Sequence, residues 1–391
     1  MSDHGGHGLV GALGPYAMSR EASGTSWQPD ASAHDGVHGE VAGWMVMGHA
    51  LLNGVYTDQS GPRGGEKAFL AGMVMGAARR DLRPGTTLNL RAMASPDPFM
   101  GKRGYPLLLA AGETADGVTE LVDRQHPHEL LMELSASLAQ RVNDRGSVFV
   151  YAGLPGEPAF GPPVFMHRQS AMDSPEAPIS HHWFDSTHIT FGVLTAGYVQ
   201  GDWKIEASRF RGREPDQDRF DIETGELDST AVRVSWNPAP EWALQASWAD
   251  LTSPEQLHPK EDETRWSVSA LRTVRFDGGW WATTFAFAQK EHGDDPAADA
   301  WLLESAVSFN DRWTIFGRAE RVENGELEES LSDVPTVGRL SLGAIRDWRV
   351  AEHVKIGIGA NLTQNFIGDE LDAVYGGDPL GATAFVRLKI G

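Results

Sequence analysis

The chain has 391 residues, 54 acidic against 33 basic, and a formal charge of -21. Such a balance excludes nucleic acid as an expected partner, because phosphate binding needs a basic surface, and it suits exposure to cations. There is no cysteine, which excludes thiolate metal sites and a disulfide framework. No stretch approaches the roughly 20 consecutive apolar residues of a membrane helix.

Residues 1–41 are rich in Gly, Ser and His and lack periodicity. They are expected to form a flexible or plug-like periplasmic extension, carrying His4, His7, His34 and His38. No secretory signal is visible, and the envelope location inferred below requires that one has been removed.

From residue 42 to 391 the chain reads as one transmembrane β-barrel. Short separators at 80–85, 143–146, 201–202, 237–241, 277–279, 310–312 and 350–352 alternate with longer ones at 57–66, 96–128, 154–186, 212–228, 251–263, 292–300, 323–337 and 366–381. Tight turns on one side and long loops on the other are the mark of an up-and-down outer-membrane barrel. The spacing predicts an all-β, porin-like antiparallel barrel of about 16 strands. Mean hydropathy of -0.33 fits, since only alternate strand residues face lipid.

The strand interiors follow suit. Trp242, Leu244, Ala246 and Trp248 share one face, opposite Gln245 and Ser247. Ala384, Val386, Leu388 and Ile390 alternate with Phe385, Arg387 and Lys389. Period-2 alternation with charge on one face means one side in lipid and one side wet. Residues 128–141 are assigned to a strand rather than a helix because Leu130, Met132, Leu134, Ala136 and Leu138 alternate. In 203–211 the pattern breaks, placing Arg209 and Arg211 on the lipid-side face near the outer rim. Trp203, Trp236, Trp242, Trp266, Trp280, Trp281, Trp301, Trp313 and Trp348 sit at strand ends, as an interfacial girdle requires.

Chemistry is concentrated in the first half. All 11 methionines lie at or before Met172. Met45, Met47 and His49 share one strand face, followed by Met73, Met75 and Met93. The second long loop ends at His126 and His128. The third holds His167 and then His181, His182, Asp185 and His188. Without cysteine, thioether and imidazole are the ligands for Cu(I) or Ag(I), and imidazole also suits Cu(II) and Zn(II). These residues are candidate metal ligands; the structural alternative is that the methionines pack and the histidines pin a loop. No cofactor is required on this reading, and a copper ion is the candidate.

The third long loop contains Pro155, Pro158, Pro162, Pro163, Pro175 and Pro178, which lower the entropy cost of ordering it. An inward-folded constriction bearing Arg168, Asp173 and Glu176 is expected there. Enzyme signals are weak. No Gly-x-Ser-x-Gly elbow occurs, and the closeness of Asp185, Ser186 and His188 in sequence establishes no triad geometry. A non-enzymatic protein is expected.

Several blocks are specific, among them Gly14-Pro15-Tyr16-Ala17-Met18-Ser19-Arg20-Glu21, Asp123-Arg124-Gln125-His126-Pro127-His128, Tyr151-Ala152-Gly153-Leu154-Pro155-Gly156-Glu157-Pro158, 180–192 and Gly212-Arg213-Glu214-Pro215-Asp216. Over nearly the whole chain they resemble a family of largely uncharacterised bacterial outer-membrane β-barrel proteins that accompany copper and heavy-metal resistance systems. The resemblance implies an outer-membrane location and a link to metals, and assigns no residues.

The expected function is therefore an outer-membrane channel or binding barrel handling copper or a related soft metal. The alternatives are a general or cation-preferring diffusion porin, and a structural or surface-interaction barrel plugged by its N-terminal tail. Expected partners are outer-membrane lipid, small solutes or metal ions, and further copies of the chain as a homo-oligomer.

Overall fold

A computed structural model describes residues 10–33, 36–293, 296–328, 330–331 and 333–391. His4, His7 and His34 lie outside the described residues, as does Glu329.

Nineteen strands follow one another: β1 (Val37–Val41), β2 (Trp44–Gln59), β3 (Gly65–Arg83), β4 (Thr86–Ala94), β5 (Tyr105–Thr114), β6 (Glu120–Gln125), β7 (Leu131–Asn143), β8 (Gly146–Gly153), β9 (Val193–Gln200), β10 (Trp203–Phe210), β11 (Ser229–Trp236), β12 (Trp242–Leu251), β13 (Glu263–Phe276), β14 (Gly279–His292), β15 (Ala298–Phe309), β16 (Trp313–Glu323), β17 (Thr336–Ala351), β18 (Val354–Phe366) and β19 (Leu380–Ile390). β2–β4 and β7–β19 form a closed 16-stranded antiparallel barrel, in which β19 pairs back onto β2. β4 pairs directly with β7. β5 and β6 therefore stand apart as a hairpin within the second long loop, and β1 pairs antiparallel with the first residues of β2.

Alternation explains the wall. In β12, Trp242, Ala246 and Trp248 are exposed outward while Ala243, Ser247 and Ala249 are buried inward. In β10, Arg209 is exposed on the outer face at the long-loop end and donates to Thr230 and the Leu227 carbonyl. An apolar outer surface is what lipid requires. The tryptophan girdle is present with one correction. Trp281 faces out, so its neighbour Trp280 must turn inward, where it packs on the interior cluster. Arg346 lies over both Trp313 and Trp348, and Arg272 over Trp242, placing cations beside girdle rings.

Two further expectations need adjusting. The first long separator shrinks to residues 60–64, because β2 and β3 run on as a hairpin of 16 and 19 residues. Residues 131–143 are a strand, but Met132 leaves the lipid face. Pairing slips between Met93/Glu133 and Ala94/Leu131, and this bulge turns Met132 into the interior, fully buried.

Two segments fold into the barrel interior. The 154–192 loop folds inward, and its Phe165, Ile179, Trp183 and Phe184 pack with Leu107, Leu108 and Leu109 of β5 and with Met73, Phe316 and Phe385 of the wall. Gly161 (φ +69°) permits this, since a Cβ there would stand 1.9 Å from the Phe184 carbonyl oxygen. Residues 10–33 fill the short-turn end. Trp27 packs edge-on against Tyr16, Arg20 forks onto Asp30 at 2.6 and 2.7 Å, and Asn237 and Arg275 donate to the carbonyls of Gln28 and Ala31.

Candidate metal centre

Two groups of side chains come together in the interior, and they split the sequence-derived ligand set. The first lies under the long loops. His126 and His128 arrive from the end of the second loop. His181 and His182 come from α1 (His181–Phe184), and His188 from the 3-10 turn after it. Their rings lie 5.1–6.4 Å apart in contacting pairs: His128 to His188 at 5.1, His181 to His188 at 5.3 and His126 to His181 at 6.4 Å. All five are buried.

Their hydrogen bonds follow one pattern. Nδ1 of His128 is 2.7 Å from Asp97 Oδ2, Nδ1 of His181 is 2.7 Å from Asp185 Oδ1, and Nδ1 of His188 is 2.7 Å from the Asp185 carbonyl. Nδ1 of His126 lies 3.2 Å from Glu113 Oε1. Nε2 of His126, His128 and His188 is buried with no hydrogen-bond partner. An imidazole held through one nitrogen by an oxygen, with the other nitrogen left bare, is how proteins orient metal ligands. It is also costly if nothing ever occupies that nitrogen.

Burial works against protonation of His126, His182 and His188. Burial holds His182 down to about 4, against the pull of Glu214. Burial, reinforced by Arg219 and the neighbouring rings, holds His126 well below its usual range, and burial with His128 and His181 does the same to His188. Burial pushes Glu113 up to about 8 despite its ion pair with Arg219. Gly112 (φ +116°) makes room for the ring of His182.

Asp185 is not placed as a ligand. Its carboxylate is consumed by His181, by Arg168 at 2.7 Å and by the backbone N–H of Phe165. It orients the cluster instead. The cluster is also open. Among the described residues, the sets of three donors already within 4.8 Å of one another are Glu255, Glu263 and His292, and Asp216, Asp221 and Glu223. The five histidines must draw together to close on an ion. They form no serine-based triad: Ser186 receives a hydrogen bond from Arg265, and His188 is bonded to the Asp185 carbonyl.

His167 departs from this group. It points towards the short-turn end, its Nε2 3.4 Å from Met93 Sδ and its ring 6.3 Å from that of His49. Met45, Met47 and His49 do face the interior, and with Met75, Met172 and His167 they line a cavity of about 120 Å³.

The expected constriction residues do fold inward, and each is ion-paired there. Arg168 is fully buried, its Nε 2.9 Å from Glu304, which also receives Arg318 at 2.9 Å. Glu176 accepts from Arg339 and Asn361, and Asp173 from Arg387. Buried charge must be paired, so these residues anchor the loop to the wall. Sequence reasoning missed Asp97 and Glu113 as orienting groups, because nothing local marks them. It also separated Met172 from the first strands, which only the inward fold brings together.

No family model matches the chain, and no curated protein matches it in sequence. Solved structures do match in shape. OprB of Pseudomonas putida aligns over 89% of this chain and 94% of its own, at 11% identity and a TM-score of 0.57. OmpF of Salmonella typhi in complex with daunomycin aligns over 90% of this chain and 100% of its own, at 9% identity and 0.56. An anion-selective porin from Comamonas acidovorans aligns over 89% and 99%, at 10% identity and 0.51. The chain therefore has the fold of outer-membrane porins.

Proposed function

We propose that this protein is an outer-membrane barrel that captures a transition-metal ion, copper in particular, in the histidine cluster beneath its long loops. The observation that carries this is the set of buried imidazoles held through Nδ1 by oxygen acceptors, three of which leave Nε2 without a partner. Imidazole suits Cu(II) and Zn(II), the net charge of -21 over the whole chain favours cations, and the resemblance to envelope proteins that accompany copper resistance points the same way. The packing of the 154–192 loop and of residues 10–33 inside the barrel favours such an ion over a bulk solute as the cargo.

The second reading is a diffusion porin, favoured by the shape shared with OmpF, OprB and the Comamonas porin. On that reading the acidic mouth selects cations, and the 154–192 loop must move to open a path.

One experiment separates them. Detergent-purified protein is loaded with Cu(II) or Zn(II), desalted and weighed by native mass spectrometry, beside a variant with His126, His128, His181, His182 and His188 changed to alanine. Retained metal in the first and none in the second is expected. Metal in neither, together with steady conductance in planar bilayers that chelator leaves untouched, would replace this reading with the porin.

A further inference from the structure

We propose that the cavity on the short-turn side of the interior is a second, separate metal site, selective for a soft monovalent ion such as Cu(I) or Ag(I). It extends the metal-handling reading, but different side chains carry it.

The site is built by register. His49 on β2 lies opposite Met75 on β3, which lies opposite Met93 on β4. Met47 and Met45 follow at positions two and four residues earlier on the same face of β2. From across the interior, the 154–192 loop brings His167 and Met172 to the same space. Thioethers from two strands, a loop and the N-terminal segment, with the imidazoles of His38, His49 and His167, thus face one cavity of about 120 Å³, which Glu21, Arg79 and Arg91 also border. That is room for an ion or a few waters.

Packing does not account for it. Methionine is the side chain best able to fill an irregular gap, and interiors are otherwise close-packed. Met73, Met93 and Met132 behave that way, all buried in the apolar interior. Met45, Met47, Met75 and Met172 remain around a space they leave unfilled. Thioether is a soft donor that Zn(II) and Mg(II) disfavour and Cu(I) and Ag(I) accept. The chain offers no thiolate to compete.

The segment 10–33 supplies the roof, since Met18 and Gln28 line the cavity from that side, and exposed His38 stands beside it. The two centres lie at different depths, imidazole under the long loops and thioether towards the short turns. Met172 borders both this cavity and the smaller one that His128 lines, so a chain of donors joins them.

Ag(I) is the probe for the test, because it is soft and undergoes no redox change, and Zn(II) is the control for the histidine cluster. Full-length protein and a Met45→Leu/Met47→Leu/Met75→Leu variant are titrated with each ion by calorimetry. Leucine nearly conserves volume. The expected result is one Ag(I) equivalent lost or weakened at least tenfold, with Zn(II) binding unchanged; retained Zn(II) also reports that the variant is folded. The five-histidine variant is expected to do the reverse. In case the leucine variant fails to fold, wild-type protein labelled with selenomethionine is loaded with Ag(I), and selenium absorption spectroscopy is expected to show a silver neighbour. Wild-type silver affinity in the leucine variant, or no silver around selenium, overturns the proposal. Zn(II) failing to bind wild type while silver binds through methionine overturns the histidine reading and leaves this one standing.

Discussion

The two sides of the 154–192 loop teach different lessons about one barrel interior. Towards β15–β19, Arg168, Glu176 and Asp173 meet Glu304, Arg339 and Arg387, and every charge has a partner. Towards β2–β4, the adjacent residue His167 faces thioethers and a cavity. One side is locked and the other holds space. A loop that carried only chemistry would not stay in place, and one that only locked would leave nothing for a ligand. The two sides alternate along one short stretch, His167 and Met172 facing the cavity while Arg168 and Asp173 pair with the wall.

Three changes would break or sharpen that contrast. The largest effect is expected from Glu304→Leu, which takes the paired carboxylate from buried Arg318 and one of two from Arg168, leaving it only Asp185. A loss of about 3–5 kcal/mol is expected. It would be read as a lower urea midpoint in detergent and as new protease cleavage within 154–192; unchanged resistance would mean that the locked side does not hold the loop.

Next comes Glu157→Gln. Glu157 packs against Gly24 of the N-terminal segment. Burial pushes its carboxyl from 4.5 up to about 7, against the pull of Arg233. The folded value is raised, so the docked form is favoured fully below the unfolded value of 4.5. That contribution fades as pH rises towards about 7, where the folded group ionises. Release of the segment on going from pH 5 to 8 should cost about 2 kcal/mol less than in the glutamine variant, whose docking stays flat. Protease access to 10–33 across that range measures it, and identical profiles would remove Glu157 from the account.

The smallest effect is expected at Arg349→Ala. Its pair with Asp311 spans 3.0 Å, but both side chains are more than half exposed. A change within about 1 kcal/mol is expected in the same urea titration. A loss approaching that of Glu304→Leu would show that burial does not separate the two kinds of ion pair.

Much of the barrel was legible in the sequence. Alternation in 242–249 and 380–390, and short against long separators, place the strands because a membrane wall forces every second residue outward whatever lies inside. Met45, Met47 and His49 could be assigned to the interior for the same reason. The contents of the interior were not legible. That Asp185 holds His181 and Arg168, that His167 leaves the other histidines for Met93, and that Arg168, Asp173 and Glu176 pair with the wall depend on how 154–192 folds back. The loop-to-wall pairs join residues more than a hundred positions apart, such as Arg168 and Glu304, and no local pattern encodes them. The sequence by itself determined the wall, because lipid acts on each strand separately. Only the tertiary structure decided what lies inside it, because buried charges find partners, and imidazoles are brought together, by position in space.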